Sequence, residues 1–266
     1  MVKNNPSISV IIPAYKQERT IKKDIESITR VLEGLKNRYE IIVVIDGKVD
    51  NTYQKVKKIN KKNLRVLTFE ENKGKGQAVR FGMSKARGDI VAFIDAGMDI
   101  NPRGIPLLLE HFKWYNADVI VGSKVHAASK VNYPWQRKIL SWGYRMLVYV
   151  LFGLKIRDTQ VGLKLFRKKV LKDVLPRLLV KTYAFDIEIL AVANRLNYRR
   201  IYEGPVELDF RYSSSITSKN FWSIIFKMLW DTAAVFYRLR ILKYYDTKHT
   251  RKWKYDKESN LRMNLP

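Results

Sequence analysis

Short runs of apolar, mostly β-branched residues alternate with helical patterns through the first half of this chain, and this alternation restricts the possible folds most. Five such runs are predicted to be strands: 8–12, 40–45, 64–69, 90–94 and 119–122. Their near-continuous apolar character is typical of strands that are buried on both faces. Helices are predicted between and after them at 21–35, 51–59, 76–86 and 102–114. The pattern therefore predicts an α/β fold with a mainly parallel sheet flanked by helices.

The second half of the chain departs from this alternation. Its pattern predicts a long helix at 135–152, a loop at 157–162, a helix at 185–196 and a strand at 201–210. No repeat or low-complexity linker divides these elements. At 266 residues and 46% hydrophobic composition, the chain is long enough to bury one large core.

Basic residues outnumber acidic ones by 51 to 25, which leaves a formal net charge of +26. The expected partners are therefore anionic: nucleic acid, acidic lipid head groups or phosphorylated substrates. The absence of cysteine excludes a disulfide framework and any thiolate-based metal site or nucleophile. Charge alone does not choose among the anionic partners, so the choice depends on motifs.

Unusual side chains follow the ends of the predicted strands. Ligands bind beyond the carboxyl ends of parallel strands, so we expect four segments to converge on one crevice: 14–18, 46–50, 72–76 and 95–99. In the last of these, Asp95 and Asp99 flank a glycine, and two such carboxylates could hold Mg²⁺ or Mn²⁺ on a diphosphate. The alternative is an aspartate that caps the next helix, followed by a solvated turn. Asp50 is expected to cap the helix at 51–59.

The segment 72–76 reads Asn-Lys-Gly-Lys-Gly and precedes a predicted helix. Backbone N–H groups at a helix N-terminus and the ammonium groups of Lys73 and Lys75 could together bind phosphate. A loop of this composition is also common as a simple turn. The segment alone leaves both interpretations open.

Five segments follow one another in the order found in family 2 glycosyltransferases: 9–18, 44–50, 72–83, 86–95 and 158–166. Over about residues 7–215 the chain resembles that family, and within it most closely the group of dolichyl-phosphate mannose synthases and dolichyl-phosphate β-glucosyltransferases. The resemblance implies a GT-A (Rossmann-like) catalytic domain at 1–215. Residues 216–266 are then expected to form an amphipathic helix and a basic tail associated with a membrane.

The resemblance implies a nucleotide-sugar site formed by Pro13, Tyr15, Glu18, Asp46, Lys75, Asp95 and Lys124. The chain departs from the family pattern at three places in this site, one of which is Lys124, where the family has arginine. The family's Asp-Asp-Gly-Ser is Ile-Asp-Gly-Lys at 45–48 here, and its Asp-x-Asp is Asp-Ala-Gly at 95–97. Gly97 cannot supply a carboxylate, so Asp99 is expected to become the second metal ligand beside Asp95. The alternative is an ion held by Asp95, the diphosphate and water.

The resemblance also implies an inverting transfer of glucose or mannose, from UDP-glucose or GDP-mannose, to polyprenyl (dolichyl) phosphate. The implied catalytic residues are Asp95, Asp158, Arg137 and Arg211. The two arginines, like Lys124, would contact donor and acceptor phosphates. Asp158 would orient a sugar or the acceptor, a role also open to Asp186, although 186–188 is equally typical of a helix start. A lipid phosphate is ionised near neutral pH, so it needs no strong general base.

Two alternatives stay open beside this interpretation. The first is a family 2 enzyme that acts on a glycan or a protein side chain, which would need a general base near the site. The second is a basic, aromatic-rich protein that binds nucleic acid, although nucleic acid is not the expected partner. Labelled sugar that enters a lipid phosphate rather than a soluble glycan would exclude the first alternative. A gel shift with an oligonucleotide tests the second.

Two apolar helical surfaces favour a location on a membrane. In 221–238, polar residues recur every three or four positions and form a narrow stripe, which is typical of a helix at a lipid interface. Residues 140–154 provide a second surface that is rich in tryptophan and tyrosine, with burial against the main domain as the alternative. The basic tail after 238 favours an anionic membrane surface. Because neither a signal peptide nor a membrane-spanning run is visible, we expect peripheral or monotopic attachment at the cytoplasmic face.

Overall fold

The computed structural model describes residues 5–97, 99–129, 135–182, 184–208, 221–246, 253–256 and 261–264. Within 135–141, 221–224 and the last two segments it describes the backbone only. The chain is built on a seven-stranded sheet against which the helices pack, and a two-stranded sheet follows near its C-terminus. Arg211, one of the predicted catalytic residues, lies outside the described residues.

The main sheet contains β1 (Ile8–Ala14), β2 (Tyr39–Asp46), β3 (Leu64–Phe69), β4 (Ile90–Ile94), β5 (Val119–Ser123), β6 (Leu163–Arg167) and β7 (Ile201–Pro205). Their order is β3-β2-β1-β4-β6-β5-β7. Strand β6 is antiparallel to β4 and β5, and the other neighbouring pairs are parallel. The small sheet pairs β8 (Trp253–Asp256) with β9 (Leu261–Asn264). The predicted mainly parallel sheet is confirmed.

The five strands predicted in the first half correspond to β1–β5. Sequence reasoning missed β6, whose apolar pattern is interrupted by Lys164. The strand predicted at 201–210 ends earlier, at Pro205, because proline has no N–H to donate to the ladder. Beyond it, Leu208 forms an isolated bridge to Ile100.

The helices are α1 (Ile21–Glu33), α2 (Thr52–Lys57), α3 (Lys75–Ser84), α4 (Gly104–Trp114), α5 (Trp135–Phe152), α6 (Lys168–Val174), α7 (Phe185–Arg195) and α8 (Phe221–Phe236). A short 3₁₀ turn (Leu175–Arg177) follows α6, and a π-helical turn (Tyr237–Ile241) continues α8. In the part of the chain that the structure describes, no helix combines the length and the apolar character needed to cross a bilayer.

Close packing of α3 on the sheet brings its first residue to the carboxyl edge of the strands. Gly82 of this helix lies directly over β1 and β2. A Cβ atom at this position would be 2.4 Å from Ile11 Cγ2 and 2.9 Å from Val44 Cγ2. Because glycine permits this approach, the N-terminal end of α3, with Lys75, is held near the ends of β1 and β2.

Helices α5 and α8 contact each other through one face and expose another. The Tyr144 hydroxyl lies 3.0 Å from Thr232 Oγ1, and the rings of Phe152 and Phe236 meet edge to face. After α8, Tyr245 is buried and donates a hydrogen bond of 2.6 Å to Glu188 of α7. The C-terminal helices are therefore packed on the sheet domain in the described residues.

Glu40, near the start of β2, is expected to make stability dependent on pH. Burial alone would raise its pKa, but hydrogen bonds from Ser9, Arg65 and the backbone N–H of Arg87 outweigh burial and lower the pKa. A lowered folded-state pKa stabilises the protein above the ordinary glutamate pKa, and this contribution is lost as the pH falls through the folded-state value. We expect Glu40→Gln to cost about 1–2 kcal/mol at neutral pH.

Urea titrations of Glu40→Gln and the unsubstituted chain at pH 7 and at about pH 4 measure this effect. The difference in the free energy of unfolding should shrink at the lower pH. Glu110→Gln is the control, because Glu110 is exposed and pairs with Lys113 one turn away. A difference between Glu40→Gln and the unsubstituted chain that is the same at both pH values would contradict the prediction.

Candidate active site

The ends of three parallel neighbours, β2, β1 and β4, surround a cleft of about 640 Å³. Its lining residues come from three of the segments that were expected to converge, 14–18, 46–50 and 95–99, together with Arg19 and Thr20. The fourth segment, 72–76, reaches the same edge through contacts with Asp46 and Asp95. The structure thus brings the four segments together, as the strand-end rule predicts.

Asp46, the last residue of β2, holds the loop before α3. Its carboxylate accepts hydrogen bonds from the backbone N–H groups of Lys73 (2.7 Å) and Gly74 (3.0 Å) and from the side-chain amide of Asn72 (3.1 Å). Burial raises the pKa of Asp46, and the two backbone bonds oppose that effect. The observed contacts make Asp46 a fixed support for the loop, while its predicted contact with a nucleotide stays a prediction.

Asp95 follows β4 and lies beside a lysine of α3. Lys75 Nζ is 2.8 Å from Asp95 Oδ2, and the backbone N–H of Asp95 donates to the carbonyl of Gly162 at 2.9 Å. The other carboxylate oxygen, Oδ1, is buried and has no hydrogen-bond partner among the described residues. A buried carboxylate oxygen without a donor is costly, and a bound cation would remove that cost.

Asp99 is close enough to Asp95 for the two charges to interact. Burial, and then the negative charge of Asp95, raise the pKa of Asp99. Between them, Gly97 has a φ of +114° and donates its N–H to Asp24 at 3.1 Å, which fixes the turn. Two carboxylates that repel each other suit a divalent cation. The described residues contain no cluster of three or more acidic or histidine ligands.

The first strand end carries three residues predicted for the nucleotide pocket. Glu18 lines the cleft, donates its N–H to Asp50 and accepts the N–H of Asn51. Tyr15 is exposed, and Pro13 is buried within β1 opposite Val44. Asp50 also accepts the Thr52 N–H at 3.0 Å. It is not the predicted N-cap, because α2 begins at Thr52 and Asn51 holds that position.

Two further predicted residues, Lys124 and Asp158, lie next to each other. The Lys124 backbone N–H donates to Asp158 Oδ2 at 2.9 Å, and its ammonium lies 3.7 Å from the same atom. The N–H groups of Arg157 and Asp158 both donate to Glu203 of β7. The structure therefore joins this pair to the far half of the sheet. Arg137 lies within residues 135–141 of α5, of which only the backbone is described, so its role stays a prediction.

Sequence reasoning missed Lys164, which is fully buried in β6. Its ammonium lies 2.5 Å from Asp186 Oδ1 of α7 and 2.6 Å from the Val161 carbonyl. Burial lowers the pKa of Lys164, and the charge of Asp186 opposes that effect. The second carboxylate oxygen of Asp186 is 3.7 Å from Lys75 Nζ. The one available signal was a lysine inside an apolar run, Val-Gly-Leu-Lys-Leu-Phe.

Comparison with known proteins assigns the chain to a family. The sequence profile of glycosyl transferase family 2 matches residues 9–175, and the chain belongs to this family. It is 34% identical over 213 residues to a dolichyl-phosphate beta-glucosyltransferase from Drosophila melanogaster, an alignment that covers 73% of this chain and 65% of the relative. It is also 34% identical over 209 residues to a dolichol-phosphate mannosyltransferase from Pyrococcus furiosus, and this alignment covers 77% of this chain and 57% of the relative. The predicted family is thus confirmed.

The chain spans less than two thirds of the length of these two relatives. Among solved structures, it resembles glucosyl-3-phosphoglycerate synthase from Mycobacterium tuberculosis, which was crystallised with Mn²⁺, uridine diphosphate and phosphoglyceric acid. The TM-score is 0.64 at 19% identity, over 98% of this chain and 87% of that one. At this identity the likeness shows the fold alone, and it confirms the predicted GT-A architecture.

Proposed function

We propose that this chain is an inverting hexosyltransferase that moves glucose from UDP-glucose to a polyprenyl phosphate of the dolichyl type. The observation that carries the proposal is the environment of Asp95. One of its carboxylate oxygens contacts Lys75 and the other is buried without a donor among the described residues, at a strand end beside Asp99. The named relatives act on dolichyl phosphate, and the structural neighbour holds UDP, which supports this donor and acceptor.

Asp95 and Asp99 are the residues that would hold Mg²⁺ or Mn²⁺. The orphaned Oδ1 of Asp95 and the mutual repulsion of the two carboxylates fit such an ion, and crystals of the structural neighbour contain Mn²⁺. When bound, the ion would neutralise charge on the departing nucleoside diphosphate. Asp46 would contribute indirectly, by fixing the loop from which Lys75 projects.

The acceptor is proposed to be a phosphate because the named relatives act on dolichyl phosphate and because an ionised phosphate needs no strong general base. Lys124, Arg137 and Arg211 are the proposed phosphate contacts, and Asp158 would orient Lys124 through the two contacts described above. An ionised phosphate oxygen can attack the anomeric carbon directly. A single displacement from an α-linked donor would give a β-linked lipid-phospho-sugar.

The proposed lipid acceptor requires contact with a membrane. Helices α5 and α8 expose large apolar side chains, here called the α5–α8 surface: Trp142, Met146, Tyr149, Val150, Phe226 and Trp230. Exposed tryptophan and tyrosine are favourable at head-group depth. We propose that this surface lies on the cytoplasmic face of a membrane, with residues 1–215 as the catalytic domain and the basic segment within 216–266 drawn to anionic lipids.

Replacing both exposed tryptophans of this surface should weaken membrane binding. Trp142 and Trp230 have exposed fractions of 59% and 78%. We expect Trp142→Ser combined with Trp230→Ser to raise the dissociation constant for phosphatidylcholine–phosphatidylserine vesicles at least tenfold. A loss of this size corresponds roughly to the apolar transfer free energy of one buried aromatic ring. Vesicle co-sedimentation at fixed ionic strength measures this.

Trp114→Ser is the matched control, because Trp114 is 86% exposed on α4 and outside the α5–α8 surface. Its vesicle binding should equal that of the unsubstituted chain. Equal losses for Trp114→Ser and the double variant would mean that tryptophan content, rather than this surface, governs binding.

Donor and acceptor screening tests the proposed function. The purified chain is given polyprenyl phosphate in vesicles, Mg²⁺ or Mn²⁺, and labelled UDP-glucose, GDP-mannose or a UDP-N-acetylhexosamine in turn. We expect label from UDP-glucose to enter the organic phase as an acid-labile lipid. Transfer from GDP-mannose but not from UDP-glucose would change the proposed sugar from glucose to mannose. Label in a soluble glycan, or no transfer from any donor, would contradict the lipid-phosphate proposal.

A further inference from the structure

We infer that Lys75 is a resident cation on Asp95 and that Asp186 is the carboxylate which receives its ammonium when a divalent cation is held by Asp95. This inference rests on the proposed function, because it concerns the metal site assigned there. It makes Asp186 a positioning residue that acts through Lys75, a role that the sequence did not indicate.

Four charged side chains form a series of contacts that joins the end of β4, α3, α7 and β6: Asp95, Lys75, Asp186 and Lys164. Lys75 Nζ is 2.8 Å from Asp95 Oδ2 and 3.7 Å from Asp186 Oδ2. Asp186 Oδ1 lies 2.5 Å from the ammonium of Lys164. Two ammonium groups therefore face two carboxylates in alternation, and Lys75 already lies within reach of both acids. A short movement of its ammonium would exchange the closer contact for the other.

Asp186 is held in place for this exchange. Lys164 is completely buried in β6, and its ammonium fixes one oxygen of Asp186. The other oxygen remains directed at Lys75. Asp186 itself is nearly buried at the start of α7. Lys75 is the member of the group that can move, because its side chain is partly exposed and long.

Backbone packing independently places Lys75 beside Asp186. The residues on either side of it are Gly74 and Gly76, and both touch the segment that leads into α7. A Cβ atom at Gly74 would lie 2.5 Å from the Lys181 carbonyl oxygen, and one at Gly76 would lie 2.6 Å from Phe185 Cβ. The N-terminus of α3 therefore has to sit against the N-terminus of α7. This contact sets the distance between the lysine and its second carboxylate.

Cation binding at Asp95 has to compete with the ammonium that is already there. Without a second acceptor, Lys75 would keep its charge at Asp95 and oppose a divalent cation. With Asp186 available, the ammonium keeps a carboxylate partner after it leaves Asp95. A salt bridge between Lys75 and Asp95 without this exchange predicts something different, namely that Asp186→Asn has the same effect on metal affinity whether or not Lys75 is present.

Binding of Mn²⁺ without nucleotide, measured from the electron paramagnetic resonance signal of the free ion, tests the inference. We expect Lys75→Met to tighten Mn²⁺ binding about tenfold, the size of effect that one close charge has on another site. We expect Asp186→Asn to weaken binding. In the Lys75→Met background, Asp186→Asn should have at most a small remaining effect, because the ammonium that it accommodates is gone.

Lys73→Met is the matched control, since Lys73 lies in the same loop with its ammonium over the ring of Phe69. Its Mn²⁺ affinity should change much less than that of Lys75→Met. If Asp186→Asn fails to fold because Lys164 loses its partner, the comparison of Lys75→Met with Lys73→Met still tests whether the Lys75 ammonium competes with the cation at Asp95. Equal changes in those two variants, or no tightening in Lys75→Met, would overturn the inference.

Asp95→Asn separates this inference from the proposed function. If Mn²⁺ binds the unsubstituted chain and is lost in Asp95→Asn, while Lys75→Met does not tighten binding, the metal site stands and the exchange is wrong. If Mn²⁺ does not bind the unsubstituted chain at all, both fail. The expected pattern of affinities in a chain that transfers no sugar to lipid phosphate would support the exchange and contradict the proposed acceptor.

Discussion

Asp95→Asn is expected to lower kcat/KM for sugar transfer at least about 10³-fold, the size of loss that follows removal of a central electrostatic group in a preorganised site. Asparagine keeps the shape of the side chain but removes the charge that faces Lys75 and repels Asp99. The substitution also removes one of the two proposed cation ligands. Initial rates of transfer from UDP-glucose to polyprenyl phosphate, over a range of Mn²⁺ concentrations, measure the loss.

Two comparisons show whether this loss is specific to the site. Glu110→Gln removes an exposed carboxylate of α4 that pairs with Lys113, and it should leave transfer unchanged. Asp99→Asn should reduce transfer less than Asp95→Asn, because Asp95 is the residue in direct contact with Lys75. A rate above one tenth of the original in Asp95→Asn would exclude Asp95 from the role proposed for it.

The first half of the fold could be predicted because its strands are apolar on both faces. Residues 41–45 of β2 and residues 90–94 of β4 are all almost completely buried, so burial and sequence pattern agree. Parallel strands of this kind are covered by helices on both sides, and no alternation of polar residues is needed. The location of the crevice followed from the same rule, since the strand ends share one edge.

The second half could not be predicted equally well because one of its strands runs antiparallel to its neighbours and carries a buried charge. Strand β6 lies between β4 and β5 and runs antiparallel to both. Its central Lys164 is buried only because Asp186, 22 residues later, supplies a carboxylate. A lysine in an apolar run normally indicates an exposed position, so this long-range pairing overrides the local pattern.

The sequence predicted which segments of the chain form the site, but it did not predict which side chains contact each other there. Asp46, Lys75 and Asp95 were placed in one crevice from their positions after strands, and the structure brings these segments together. The contacts between Lys75 and Asp186 depend on how α7 docks against α3, over more than a hundred residues of sequence. No sequence motif predicts how α7 packs against α3, although this packing requires glycine at positions 74 and 76.

Gly162→Ala is expected to reduce kcat/KM for transfer at least about 10²-fold without removing any charged group, because a displacement of about 1 Å at a reacting site can have that effect. A Cβ atom at Gly162 would lie 2.0 Å from Asp95 Oδ2, 2.4 Å from Cγ and 2.8 Å from Cβ. The whole Asp95 side chain would have to move away, breaking its contact with Lys75. Mn²⁺ affinity should fall together with the transfer rate.

The matched control is Gly34→Ala, at the end of α1, where φ is −71° and the nearest atom to a new Cβ is the Val31 carbonyl oxygen at 3.4 Å. Alanine fits this helical conformation, so Gly34→Ala should transfer sugar at the original rate with equal or greater stability. For Gly162→Ala, circular dichroism should show an unchanged fold. If that variant keeps both its fold and its transfer rate, the position of the Asp95 carboxylate does not control the reaction, and the metal site assigned to Asp95 would have to be placed elsewhere.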